Sequence, residues 1–512
     1  MDLLTKACES SMPKKRCMNN RRPVYWWNQN IAELRRTCLR LRRLSQRTRR
    51  DSLEFQLRKD QYRMARRTLK IAIARSKAKK WRELCDDVDN DPWGLGYKIV
   101  LKKLKGVDTS TEMSTAVKDR IVSELFPDHE IEERPPIAIS GDISLFTLDE
   151  LAQAVKSMRN KKAPGPDRIP VEILKAITDT HPEIMLDMYN TCLKEGIFPE
   201  RWKLARLVLI GKGKGDPSTA SAHRPLCLLD TAGKLYEKLL KRRMLTAIAE
   251  AGGLSPRQFG FRPGRSTIDA VSRVVGIAKE TQLGNHKTRD MCMAVTLDVR
   301  NAFNSARWKD ILEALMVQFH VPSYLLRVLQ NYLADRWLIY DTKEGIKKRR
   351  ITSGAAQGSV LGADLWNINY DGILRVEMPE GITLIGYADD LVVVIRARRM
   401  EHLQFKLNQA MRRVMEWMEA HTLSLAIQKT EIVLLTTARI ERSIPMNVDG
   451  QEIITSPAIR YLGVMLDGKL SFWRHISGAA DKAAGTGAQK NKNEEGRDNY
   501  HSKEGRAGGD HP

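Results

Sequence analysis

ITLIGYADDLVVVI, residues 382–395, sets two short apolar runs on either side of a Tyr387-Ala388-Asp389-Asp390 turn. That pattern reads as strand, tight turn, strand. The density of Ile, Leu and Val suits a sheet buried on at least one face. The turn places two adjacent carboxylates at the tip of this hydrophobic hairpin. Like charges held together repel and cost stability unless a cation joins them. Acidic residues are also ordinary in turns, so Asp389 and Asp390 decide nothing alone. A third carboxylate ending another buried strand would change the weighting.

Residues 294–298, Ala-Val-Thr-Leu-Asp, supply one. This second apolar strand ends in Asp298 and runs through Val299-Arg300-Asn301-Ala302-Phe303 into a helix-compatible segment. Asp298 could simply cap that helix. Mg²⁺ prefers carboxylate oxygens and keeps waters and substrate phosphates as further ligands. Two such ions about 3.5–4 Å apart activate a 3′-hydroxyl and stabilise leaving pyrophosphate. Asp298 with Asp389 is the minimal protein contribution to that chemistry.

The blocks LDVRNAF, AAQGSVLGADLWN and GYADD, in that order, resemble the reverse transcriptases of LINE-type (non-LTR) retrotransposons, above all elements that insert into ribosomal RNA genes. The likeness runs from about Phe146 to about His475. It implies an α+β multi-domain chain: a right-hand polymerase of fingers, palm and partial thumb, with a basic helical N-terminal extension. It also implies RNA-directed DNA synthesis, in which a DNA 3′-hydroxyl is extended on an RNA template with deoxynucleoside triphosphates. Asp298 and Asp389 would hold two Mg²⁺ or Mn²⁺ ions, with Asp390 the third acidic member of the catalytic site. An RNA-dependent RNA polymerase shares paired aspartates in a hairpin, but Phe303 and Tyr387-Ala388 favour deoxynucleotide use. The other rival is a catalytically dead relic that only binds nucleic acid.

Composition agrees with a polyanionic partner. The 512 residues carry a net charge of +24, and 42% are hydrophobic. Such an excess points to nucleic acid or an acidic membrane. No apolar run approaches a membrane span, and the N-terminus lacks a secretory core, so RNA and DNA are the expected partners, in nucleus and cytoplasm. Seven cysteines, at 8, 17, 38, 85, 192, 227 and 292, show no zinc spacing. Oligomeric state is not legible.

The expected organisation starts with a basic helical extension over 1–92 and a connector over 93–140. The reverse transcriptase domain follows over 141–476, with fingers at about 141–290, palm at about 291–440 and a primer-grip region at about 441–476. The last segment, 477–512, reads as a disordered tail, poor in apolar residues. Family members usually carry an upstream endonuclease, so the chain reads as a truncated copy that begins in the linker after that domain and lacks most of the thumb. Within 1–92, the arginine-rich stretch from Ile31 to Trp81 has few helix breakers. Leu34, Leu39, Leu41 and Leu44 form no single stripe, so one long basic helix is expected rather than a coiled coil, serving as a phosphate platform.

Further along, Thr147 and Glu150 form a capping box opening a helix with Leu151, Val155 and Met158. KKAPGPDRIP follows as a turn, with Arg168 where the family has glycine. Residues 202–224 read as a strand and a Lys- and Gly-rich loop without P-loop spacing. By resemblance this is a fingertip loop, where Lys212 and Arg224 bind the incoming triphosphate. QFGFRPGRST (258–267) interleaves Phe259 and Phe261 with Arg262 and Arg265, either a core aromatic pair or a stacking surface with backbone-holding guanidinium groups. The family places Phe261, Arg262 and Arg265 against template and primer. Phe303 lies five residues after Asp298; by resemblance, an aromatic ring there would collide with a 2′-hydroxyl and reject ribonucleotides. Gln357 and Gly358 would line the nucleotide site, where only glycine allows close backbone approach. An amphipathic helix is expected over 403–417. Lys429 lies near the palm by resemblance, either protonating pyrophosphate or merely solvated. Tyr461, Leu462 and Gly463, in YLGVMLDG, resemble the primer-grip hairpin.

Overall fold

The computed structural model describes residues 27–48, 54–90, 113–130, 135–213, 215–283, 289–437 and 443–481, with side chains of the 54–90 helix described to residue 79. The chain divides into two compact units, 1–111 and 112–512.

The first unit contains α1 (Gln29–Arg47) and α2 (Glu54–Asn90). Asn28 caps α1 by accepting from the Ile31 N–H at 2.9 Å. Its Nδ2 also donates to Ser76 Oγ at 3.1 Å, so the two helices run antiparallel. Ile31, Leu34, Cys38, Leu41 and Ser45 on α1 are withdrawn from solvent, as are Phe55, Tyr62, Ala65, Leu69, Ala72 and Ser76 on α2. Steps of three, four and seven residues make these a heptad seam. The single long helix expected from Ile31 to Trp81 is therefore corrected to a hairpin. Its seam mixes Leu34, Leu41 and Leu69 with Cys38, Ser45, Ala65, Ala72 and Ser76, which a search for a leucine stripe overlooks. Arg36, Arg40, Arg43 and Arg47 share the exposed face of α1 with Leu39 and Leu44.

The second unit opens with α3 (Thr115–Leu125), α4 (Leu148–Lys156), α5 (Val171–Thr180) and α6 (Pro182–Glu195). Then come β1 (Leu204–Gly211), β2 (His223–Leu228), α7 (Thr231–Glu250), α8 (Thr267–Thr281) and β3 (Met291–Asp298). Next are α9 (Ser323–Tyr332), β4 (Arg336–Thr342), β5 (Gly345–Ile351), α10 (Gly362–Arg375), β6 (Ile382–Tyr387), β7 (Asp390–Ala397) and α11 (Met400–Ala420). The last strands are β8 (Glu431–Leu435), β9 (Pro445–Val448), β10 (Gln451–Ile454), β11 (Ala458–Tyr461) and β12 (Val464–Asp467).

Two four-stranded sheets carry this α+β unit. The palm sheet has order β6-β7-β3-β8, antiparallel throughout. On one face Cys292, Ala294, Ile385, Val392, Val394 and Val433 pack with Val271, Val274 and Ile277 of α8 and with Ile459 and Leu466 of the last hairpin. α11 packs against β7, burying Leu403, Leu407, Met411 and Val414 as the helical periodicity requires. Helical cover explains why β7 reads as an unbroken apolar run rather than an alternation.

The fingers sheet has order β2-β1-β4-β5, with β1 parallel to β4 and its other pairs antiparallel. Residues 336–351, expected in the palm, thus belong to the fingers sheet. The connector is corrected too: Ile121, Val122, Leu125 and Phe126 of α3 and its end are buried against Leu207, Leu209 and Leu338. Residues 477–481 complete a helix begun at 473, so the tail cannot start at 477; residues 482–512 lie outside the described set.

Local chemistry places the early fingers elements. Thr147 and Glu150 form the expected capping box on α4, and Leu151 and Val155 are buried. In the KKAPGPDRIP loop Arg168 has φ +59°, a left-handed conformation that glycine adopts without strain. A β-carbon at Gly165 would meet the Asp230 nitrogen at 2.3 Å, so the loop lies on the start of α7. There the Asp167 N–H donates to Asp230 Oδ1 at 3.0 Å. Both carboxyls are buried, and Oδ2 of each lacks a hydrogen-bond partner.

Burial pushes Asp230 up to about 7; the Asp167 N–H and Arg201 oppose the rise, and the Asp167 carboxyl adds to it. The folded state therefore keeps a proton that the unfolded state releases near its ordinary value of 3.8. This stabilisation is full below that value and is lost as pH rises through about 7. Asp230→Asn, which stays neutral, is expected to flatten the fall in melting temperature between pH 5.5 and pH 8. Differential scanning fluorimetry across that range checks it, and an unchanged slope would contradict it.

Candidate active site

The register of the palm sheet assembles the carboxylates. Tyr387 pairs with Asp390, leaving Ala388-Asp389 as a two-residue hairpin loop. Asp298 pairs with Asp390 across β3 and β7. Residues directly opposite in an antiparallel pair present their side chains on the same face. Asp298 and Asp390 thus share one face, with Asp389 in the adjoining turn. Two like charges directly opposite destabilise a sheet.

The electrostatics show the strain. Burial raises Asp389 above its ordinary value, and Asp298 adds to the rise; Arg224 and Lys429 oppose it. Surrounding protein, followed by Asp389 and Asp298, pushes Asp390 up to about 6. Asp390 is nonetheless exposed, so solvent tempers the desolvation and the like charges deserve the larger weight. Lys429 sets its ammonium 2.5 Å from Asp298 Oδ2 while its side chain stays largely exposed, so it lies beside the carboxylates. Among the described residues, no three Asp, Glu, His or Cys form a closed metal cage. An open set of carboxylates still fits Mg²⁺, which takes one or two from protein and fills its shell with waters and phosphates.

The neighbouring segments converge on the same place. Phe303 is half-buried and lies edge-on to Phe261, ring centroids 6.0 Å apart. Behind it comes Trp366 at 5.2 Å, then Tyr370 a further 4.9 Å on and Trp417 another 5.8 Å. This aromatic file backs Phe303 rigidly. The Ala355 N–H donates to the Phe303 carbonyl at 2.6 Å, and the Cys227 N–H donates to the Gln357 carbonyl at 2.8 Å. Residues 355–357 therefore tie β2 to the Phe303 turn. Gly358 has φ +124°, and a β-carbon there would meet the Cys227 carbonyl oxygen at 2.3 Å. Packing on β2 requires this glycine, independently of any nucleotide.

Lys212 follows β1 and is exposed, and Arg224 is exposed on β2 opposite Ile210. Strand alternation puts residues 210, 212 and 224 on one side of the hairpin, and the field of Arg224 reaches Asp389. The structure thus brings Arg224 to the carboxylates.

Three expected template or primer contacts are redrawn. Arg262 donates to the carbonyls of Ser255 at 2.6 Å and of Leu254 and Gln258 at 3.3 Å. Arg265 donates to the Pro256 carbonyl and lies 4.9 Å over the Phe259 ring. Both guanidinium groups hold their own loop, whereas Phe261 is 53% exposed. Tyr461 is 3% exposed and belongs to the palm core, leaving Leu462 and Gly463 at the hairpin turn, both with positive φ.

Tyr370 escaped the sequence reading altogether. Its hydroxyl is buried without a hydrogen-bond partner; burial, then Asp389, Asp390 and Asp298, raise its pKa. Helical periodicity marks it only as core. Gln258, quoted within QFGFRPGRST, was passed over for its aromatic and arginine neighbours.

The family model for reverse transcriptase (RNA-dependent DNA polymerase) matches residues 211–466. The Pol polyprotein of type-1 retrotransposable element R1 from Bradysia coprophila is 26% identical, over 88% of this chain and 46% of its own length. A putative 115 kDa protein of element R1DM from Drosophila melanogaster is 27% identical, over 94% of this chain and 47% of its own. The probable RNA-directed DNA polymerase from the X-element of Drosophila melanogaster is 30% identical, over 65% of this chain and 36% of its own. The chain spans about half the length of the first two relatives. With its carboxylates on an antiparallel palm sheet and this family's model covering that sheet together with β2, β4 and β5, the chain belongs to the reverse transcriptases.

Proposed function

We propose that this chain extends a DNA 3′-hydroxyl by copying an RNA template, at a site where Asp298 and Asp389 hold two Mg²⁺ ions. The observation that carries the reading is the pairing of Asp298 with Asp390 beside Asp389. Such like-charge crowding persists when function requires it. When bound, the ions make the 3′-hydroxyl a better nucleophile and neutralise charge on the departing pyrophosphate. Arg224 and Lys212 receive the triphosphate. Phe303, backed by Trp366, excludes a 2′-hydroxyl. Gln357 and Gly358 border the nucleotide, Phe261 meets template or primer, and Leu462-Gly463 supports the primer end. Arg262 and Arg265 shape the loop that presents Phe261. Mn²⁺ suits the same oxygen ligands.

Primer extension on a defined RNA template tests this. Elongation should require template, deoxynucleotides and Mg²⁺. No elongation by folded, RNA-binding protein at any Mg²⁺ concentration would overturn it.

Arg36, Arg40, Arg43 and Arg47 provide an exposed basic face for RNA phosphates. Replacing all four by Gln is expected to reduce the slope of log affinity against log salt by up to about 3, at roughly 0.7 per single-strand phosphate contact. Fluorescence anisotropy between low and physiological salt measures it. An unchanged slope would make this face a solvated one.

A further inference from the structure

We infer that Gln258 is a positioning residue whose side-chain amide clamps the Ala388-Asp389 turn and thereby aims Asp389; the inference rests on the polymerase reading above. Gln258 is fully buried. Its Oε1 accepts from the Ala388 N–H at 3.0 Å and from the Gly260 N–H at 2.9 Å. Its Nε2 donates to the Ala388 carbonyl at 3.4 Å. One amide therefore grips both polar groups of one turn residue, which is 130 positions away in the chain.

Ala388 needs such a grip. It is the first residue of the two-residue loop and has φ +57°. Hairpin loops give such positions to Gly, Asn or Asp, because a β-carbon is strained there. Ala388 is also buried at 5% exposure, so water cannot replace the Gln258 bonds, and losing them would leave buried main-chain groups unsatisfied.

The supporting segment is itself fixed. The Phe259 N–H donates to the Gly386 carbonyl at 2.8 Å, and the Gly386 N–H donates to the Arg257 carbonyl at 2.9 Å. A β-carbon on Gly260 would meet the Ala388 nitrogen at 2.1 Å, so the two backbones touch. Asn367 of α10 donates to the Gly260 carbonyl at 2.9 Å. Residues 257–260 thus form a buckle over the turn, and Asp389 immediately follows the clamped residue. Relaxing Ala388 would rotate the next peptide and swing the Asp389 carboxylate away from Asp298, whose charge acts on it.

The test uses the full chain in single-turnover addition of one deoxynucleotide. Gln258→Leu, similar in size but without hydrogen bonds, is expected to slow addition by about 10²-fold, the scale of a small misplacement of a reacting group. It should also raise half-saturating Mg²⁺ several-fold while leaving half-saturating deoxynucleotide nearly unchanged. Adding Ala388→Gly, which accepts positive φ without strain, should recover at least about tenfold of the lost rate. A residue that merely fills the core would not be rescued by glycine 130 positions away.

Mn²⁺ affinity by electron paramagnetic resonance reads the same clamp without turnover: weaker in Gln258→Leu and restored in the double variant. Wild-type rates and metal affinities in Gln258→Leu, or absence of rescue at matched melting temperatures, would overturn the clamp. If Gln258→Leu does not fold, Gln258→Glu takes its place. It keeps an acceptor for the Ala388 N–H but loses the donor, so weakened Mn²⁺ binding with recovery on adding Ala388→Gly supports the clamp, and its absence refutes it. An inactive wild type with this Mn²⁺ pattern would instead refute the polymerase reading and leave the clamp standing.

Discussion

Asp389→Ala and Asp298→Ala should each slow nucleotide addition by about 10²- to 10³-fold, the scale seen when a stabiliser of developing charge is removed. RNA affinity should stay within about twofold, because phosphates are held by lysine and arginine rather than by carboxylates. The same crowding separates this loss from unfolding. Asp389 and Asp298 both push Asp390 up, so deleting either relieves repulsion, and neither variant should melt below the wild type without metal. Single-turnover kinetics, anisotropy and calorimetry check the three parts. Retained extension in Asp389→Ala would remove that residue from the site.

Phe303→Val should raise ribonucleotide use relative to deoxynucleotide use by about 10- to 100-fold, the range over which pocket size discriminates between close substrates. The packing of Phe303 against Trp366, which is itself stacked on Tyr370, is the reason to expect an effect of that size, since a steric gate must not yield. Deoxynucleotide addition should change much less. Competition between the two triphosphates at a single template position measures the ratio. An unchanged ratio would make Phe303 a member of the aromatic core and nothing more.

The palm hairpin was legible because it is local: two apolar runs and their turn lie within 382–395. Asp298 was found because its strand has the same character, and their register then became a structural fact. What escaped is carried by long-range contacts or unobtrusive residues. The β4–β5 hairpin joins the fingers through a parallel pairing of Leu204–Arg206 with Trp337–Ile339, which no local pattern announces. α3 sat inside a stretch that read as a connector, although three of its apolar residues and their neighbour Phe126 enter the fingers core. The helical hairpin hid its seam in Cys38, Ser45, Ala65 and Ala72. Arg262 and Arg265 look like nucleic-acid ligands by type, yet their partners are main-chain carbonyls, to which sequence gives no clue. Arg168 ran the other way: a departure from a family glycine turned out to keep that glycine's left-handed backbone.

Mn²⁺ binding to the wild type, Asp298→Ala and Asp389→Ala, followed by electron paramagnetic resonance at pH 7.5, measures most directly whether Asp298 and Asp389 are cation ligands. The wild type should bind Mn²⁺ in competition with Mg²⁺. Each variant should lose most of that binding. Equal Mn²⁺ binding by all three proteins would contradict the account.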